Sequence, residues 1–118
     1  MLDWFAPATV LGATLKARGY TLALAESCTG GMVAQAITSV AGSSAWFERG
    51  FVTYSNTAKV EMLGVSKHTL AQFGAVSEQT AAEMALGALK NSHADIVGSI
   101  TGIAGTDGGT HETHLGTV

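Results

Sequence analysis

An apolar run, residues 20–25, passes directly into Glu26-Ser27-Cys28-Thr29-Gly30-Gly31 and then into a stretch of helical periodicity. A buried strand followed at once by a helix restricts the chain to a layered α/β arrangement, because the helix has to bury its apolar face on the sheet. The junction also sets a serine where a helix begins. Unpaired N–H groups and the positive end of the helix dipole gather there, and Gly30 and Gly31 let a bound group approach the main chain. Such a junction can hold an oxyanion or a phosphate.

The rest of the chain alternates in the same way, and no internal repeat interrupts it. Pro7, then Val10, Leu11 and Leu15, then Lys16, Arg18 and Gly19 describe a first helix with a basic end and a glycine stop. Met32, Val33, Ala36, Ile37 and Val40 give the second helix an apolar face, and Gly42 marks its exit. Residues 50–55 are rich in β-branched and aromatic types and read as a second strand. Asn56 then caps a short helix, 57–63, that Gly64 ends. Ser77 caps a longer helix with Ala81, Ala85, Ala88 and Leu89 on its small face, and residues 95–101 return as a buried strand. The glycine-rich loop 102–110 and a strand starting at Leu115 complete the chain.

Composition narrows the partners. The 118 residues, 47% apolar, are expected to form one small domain spanning 1–118. A net charge of −3 with six Lys plus Arg offers no basic run for a nucleic-acid backbone or anionic lipid, so a small-molecule partner is favoured. The single cysteine cannot form an internal disulfide, and Asp3 and Pro7 take the place of a basic leader segment; a soluble protein of the reducing cytoplasm is expected. The apolar runs fall far short of the ~20 residues of a membrane span.

Three parallel strands would bring their C-terminal loops to one edge of the sheet, where open α/β folds place ligands. The loops carry Ser27 with Thr29, then Tyr54, Ser55, Asn56 and Lys59, and finally Thr101 with Asp107. A serine hydroxyl needs a neighbour to take its proton, and a desolvated lysine can serve. No histidine sits in these clusters. Tyr54 would hydrogen-bond the pair and relay the proton, and N–H groups at the start of the second helix would hold the oxyanion. The expected chemistry is acyl transfer by hydrolysis.

Each residue also has a plainer role. Ser27 and Thr29 are common N-cap types, and a lysine on a short helix is ordinarily solvated. Tyr54 on a strand is ordinarily an edge aromatic with its hydroxyl in water, and Thr101 ordinarily ends a strand. Cys28 is a candidate nucleophile beside Ser27, yet no histidine is placed to serve it, and free cysteine usually behaves as a small buried hydrophobe. His111-Glu112-Thr113-His114 does not meet the zinc pattern, which needs histidines four apart on a helix.

Five runs decide the weighting when taken together: Ala25-Glu26-Ser27-Cys28-Thr29-Gly30-Gly31, Gly42-Ser43-Ser44-Ala45-Trp46-Phe47, Tyr54-Ser55-Asn56-Thr57-Ala58-Lys59, Gly74-Ala75-Val76-Ser77-Glu78 and Thr101-Gly102-Ile103-Ala104-Gly105. In this order they resemble the CinA C-terminal domain family, which includes stand-alone PncC-type nicotinamide-nucleotide amidohydrolases. The resemblance implies a three-layer α/β/α sandwich with a mostly parallel, mixed sheet. It also implies hydrolysis of the carboxamide of nicotinamide mononucleotide to nicotinate mononucleotide and ammonia, in pyridine-nucleotide salvage, with no metal and no cofactor. By position it makes Ser27 the nucleophile, Lys59 the general base, Tyr54 the tyrosine beside them and Thr101 the threonine near the reacting group. Thr29, Gly30, Gly31, Asn56, Gly102 and Gly105 would bind the substrate. A homodimer is the family-based expectation. The alternative is a non-catalytic nucleotide-binding or assembly module of the same fold.

The chain departs from the family pattern at Thr106, where the family usually has proline, and at Thr113 and His114, where it usually has lysine and proline. Members of the family continue past Val118 with the rest of the last strand, its partner strand, a C-terminal helix and an arginine expected near the substrate. The chain is therefore expected to be incomplete at its C-terminus, leaving a sheet edge and an apolar face uncovered.

Overall fold

The computed structural model describes residues 5–102. Expectations that fall on Gly105, Thr106, Asp107, the remainder of the glycine-rich loop, the His111 to His114 segment and the strand at Leu115 lie outside those residues. The elements run α1 (Phe5–Arg18), β1 (Leu22–Glu26), α2 (Met32–Thr38), a 3-10 turn (Ser43–Ala45), β2 (Phe47–Val52), α3 (Asn56–Leu63), α4 (Lys67–Phe73), α5 (Glu78–Lys90) and β3 (Ile96–Ile100). The described strands form one parallel sheet in the order β2-β1-β3. Glu26 pairs with Val52 on one side and Ile100 on the other, so all three strands end at one edge.

β1 is central and buried along its whole length, which explains an apolar run without alternation. Its two faces feed two cores. On one, Leu22 and Leu24 pack with Ala8 and Leu15 of α1, Ile37 of α2, Val40 and Trp46. On the other, Ala25 packs with Leu63, Val65, Met84 and Ala88 under α3 and α5. Helices thus cover both faces, as a three-layer α/β arrangement requires.

Close backbone approach fixes two of the helices. A Cβ at Gly87 would lie 2.0 Å from the carbonyl oxygen of Leu63, so α5 and the end of α3 meet main chain to main chain. A Cβ at Gly12 would lie 2.4 Å from the Trp46 ring. That contact rotates α1 relative to its sequence pattern: Ala8, Gly12 and Leu15 face inward, while Val10 and Leu11 are exposed. The small face of α5 differs similarly, with Thr80, Met84, Gly87 and Ala88 buried and Leu89 exposed.

Element boundaries follow local chemistry, with corrections: β2 runs Phe47–Val52 rather than over residues 50–55, and β3 is only partly buried. Ser55, not Asn56, caps α3, its Oγ accepting from Ala58 N–H at 3.0 Å, and Gly64 closes the helix at φ +70°. Tyr20, expected within the first strand, is exposed and precedes it. α4 was not anticipated, although Ser66 and Gly74 flank it as cap and stop. Glu83 of α5 secures its start, accepting from Ser66 N–H at 2.8 Å and from the Thr69 hydroxyl at 2.5 Å, and these bonds hold the Glu83 carboxyl below the usual carboxylate range. No described helix is long and apolar enough to cross a membrane.

Candidate active site

Ser27 is the first residue beyond β1, and its N–H still donates to Ile100 O at 2.9 Å, extending the ladder with β3 by one step. On the other side Thr53 N–H donates to Glu26 O at 2.8 Å. The serine is thereby fixed at the strand-end edge between two neighbours, and it is 5% exposed. Lys59 reaches it from α3, where Lys59 and Leu63, one turn apart, form the buried side of the helix. Lys59 Nζ lies 2.9 Å from Ser27 Oγ and 2.9 Å from the Tyr54 carbonyl oxygen.

A lysine 1% exposed is far from the solvated charge that a short helix ordinarily carries. Among the described residues it has no ion-pair partner; the ion pair there joins Glu48 and Arg49. Burial therefore pushes the Lys59 ammonium below its ordinary value of 10.5, and proximity to Cys28 acts in the opposite direction. An amine in this setting can donate to Tyr54 O and accept the Ser27 hydroxyl proton at the same time. Ser27 Oγ is also 3.5 Å from Tyr54 O, at the outer limit of a hydrogen bond.

Tyr54 thus meets the pair through its main chain. Its side chain is 64% exposed, and no hydrogen bond joins the phenol to Ser27 or Lys59, contrary to the expected relay. Thr101 lies one step beyond the Glu26–Ile100 register pair, beside Ser27, and its hydroxyl donates to Ala75 O at 2.8 Å rather than to the Ser-Lys pair. Gly102 follows it, half-buried. Asn56 is exposed on the first turn of α3 and hydrogen-bonds none of these groups. Gly30 at φ +60° and Gly31 at φ +104° occupy the left-handed region, a conformational reason for glycine apart from ligand approach.

The oxyanion expectation needs the largest correction. Neither Ser27 nor Thr29 caps α2. The Glu26 carboxylate does so, accepting from Gly31, Val33 and Ala34 N–H at 3.1, 3.1 and 2.8 Å, with the Thr29 hydroxyl at 2.6 Å. The helix donors are therefore occupied. Glu26 carried no assigned role in the sequence; its one signal was an acid at the end of an otherwise apolar strand. Cys28 is half-exposed and free, less buried than a small core hydrophobe. Among the described residues no group of His, Cys, Asp and Glu side chains is placed to hold a metal ion.

Residues 6–118, a range that contains all five motifs, match the CinA C-terminal domain. The chain belongs to the CinA C-terminal domain family. Curated relatives of this CinA domain include "Nicotinamide-nucleotide amidohydrolase PncC" of Escherichia coli (strain K12), 65% identical over 92% of the chain, and the protein of the same name in Enterobacter agglomerans, 63% identical over 92%. The chain spans 66% of the length of each. Among solved structures, the competence/damage inducible protein CihA from Agrobacterium tumefaciens is 50% identical with a TM-score of 0.92, over 97% of this chain and 69% of that one. A competence-damaged protein (CinA) superfamily protein from Escherichia coli is 39% identical with a TM-score of 0.90, over 96% and 66%. The α/β fold is that of these CinA-superfamily structures.

Proposed function

We propose that this CinA domain carries the amidase centre of a nicotinamide-nucleotide amidohydrolase, with Ser27 as nucleophile and Lys59 as general base. The observation that carries the reading is the 2.9 Å contact between Lys59 Nζ and Ser27 Oγ, with the lysine buried and its proton affinity lowered. The PncC relatives are named nicotinamide-nucleotide amidohydrolases, which supports the carboxamide of a nicotinamide nucleotide as substrate; nicotinamide mononucleotide is the member of that class we propose.

In this mechanism neutral Lys59 takes the Ser27 proton as Oγ attacks the carboxamide carbon. Collapse of the tetrahedral intermediate expels ammonia, which leaves with the proton held on Lys59. Water then enters and attacks the ester carbon as Lys59 takes its proton; the C–Oγ bond breaks, Lys59 returns that proton to Ser27 Oγ, and nicotinate mononucleotide leaves. Tyr54 O orients the amine through the second 2.9 Å bond, so the tyrosine contributes its carbonyl. In this reading Thr101, one step beyond the Glu26–Ile100 pair, acts near the reacting group, and Thr29, Gly30, Gly31, Asn56 and Gly102 bind the substrate.

Ammonia release from nicotinamide mononucleotide tests the reading. Ser27→Ala and Lys59→Ala are each expected to lower kcat by about a thousandfold or more, the scale of losing a nucleophile or its base. Unchanged ammonia release in either variant would exclude the dyad. Calorimetric binding of the nucleotide without turnover by the wild type would favour a binding module.

A further inference from the structure

Glu26 is 1% exposed and none of the chemistry above uses it. Its carboxylate is nonetheless fully engaged: Oε1 accepts from Thr29 Oγ1, Gly31 N–H and Val33 N–H, and Oε2 accepts from Ala34 N–H. Among the described residues no cation pairs with it, so N–H and O–H dipoles provide its stabilisation. Its main chain is also anchored, because Glu26 is the last residue of β1 and its carbonyl accepts from Thr53 N–H.

One residue therefore clamps both ends of the segment 27–31, with its backbone at the serine end and its carboxylate at the helix end. Two donors inside that segment are spared. Gly30 N–H goes to Ser27 O and Met32 N–H to Thr29 O, whereas Cys28 N–H and Thr29 N–H have no acceptor among the described residues. The N–H that follows an acyl-transfer nucleophile is well placed to meet the developing oxyanion, and its value depends on being fixed beforehand.

We propose that Glu26 is a positioning residue that fixes the peptide units of Cys28 and Thr29, whose N–H groups are the oxyanion donors of this site. This rests on the reading of Ser27 as an acyl-transfer nucleophile. Filling the α2 N-terminus with a protein carboxylate also keeps a competing anion site from forming one turn away from the serine.

Glu26→Gln tests it, since the amide keeps the shape but turns one acceptor into a donor facing another donor. The expected result is a fall of about tenfold or more in kcat for nicotinamide mononucleotide with KM within about threefold, the pattern of an interaction made only in the transition state. A second arm labels Ser27 with phenylmethanesulfonyl fluoride, followed by mass spectrometry with Ser27→Ala as blank. There the Ser27 O–S bond forms as the S–F bond breaks, Lys59 takes the hydroxyl proton and fluoride leaves. Per folded molecule, the labelling rate should fall by about tenfold in Glu26→Gln.

Wild-type kcat, or a wild-type labelling rate, in folded Glu26→Gln would overturn the proposal. So would a change confined to KM or to thermal stability. If wild-type protein labels at Ser27 in a Glu26-dependent way yet releases no ammonia, the positioning role stands and the substrate reading fails. A wild type that turns over without labelling leaves the kcat arm to decide, and one that does neither overturns both. Should Glu26→Gln not fold, Thr29→Val removes one bond to the carboxylate and is expected to lower kcat by about threefold; an unchanged kcat would overturn the proposal.

Discussion

At the residue scale the proposed chemistry depends on a lysine that is buried. Ser27 and Lys59 were legible in the sequence as members of two strand-end clusters, and the structure brings their terminal atoms to 2.9 Å. Which part of Tyr54 would face them was not legible, because residue type does not say whether a carbonyl or a phenol turns inward. Glu26 escaped for a related reason: the donors it serves lie five, seven and eight residues further on and converge only once α2 has formed. The burial of Lys59 also predicts a stability signature. Its folded pKa is below that of the unfolded chain, so between those two values the unfolded state binds more protons and unfolding free energy rises with pH. Lys59→Met removes a buried amine and leaves the Tyr54 carbonyl with only the long bond from the Ser27 hydroxyl. Its stability at neutral pH is expected within about 1 kcal/mol of wild type, with the rise towards pH 10.5 flattened in urea denaturation. An unflattened rise would mean that another group titrates there.

At the element scale the helices are set by what the sheet and the glycines permit. The order of strands and helices was readable from the apolar runs of β1 and β3, from Ile37 and Val40 on the apolar face of the α2 segment, and from the Ser77 cap of α5. Helical faces were less readable. α1 turns its Gly12 side toward Trp46, a partner 34 positions away that no local pattern announces, and α4 is a seven-residue helix whose start relies on Glu83 of another helix. The contact of Gly87 with the Leu63 carbonyl also bears on the site, since Leu63 and Lys59 share the inner side of α3. Gly87→Ala should push α3 away from α5 and cost about 2 kcal/mol or more in denaturant unfolding, with a parallel loss of activity. A variant as stable as wild type would show that the two helices are not held at this distance.

At the scale of the whole molecule, the parallel order β2-β1-β3 is what turns separate motifs into a site. It brings the ends of three strands to one edge, so that residues 27, 54 and 101, far apart in the chain, become neighbours. Helices on both faces then bury Lys59 beneath that edge, and its lowered proton affinity follows from the fold rather than from a partner charge. The central claim is that this buried amine takes the proton of Ser27, and the pH profile of kcat/KM for ammonia release from nicotinamide mononucleotide tests it most directly. A base acts only when neutral, so activity should be lost as pH falls through the Lys59 value and should rise along a limb with a midpoint below 10.5. A profile without that limb, or a limb centred at or above 10.5, would contradict it.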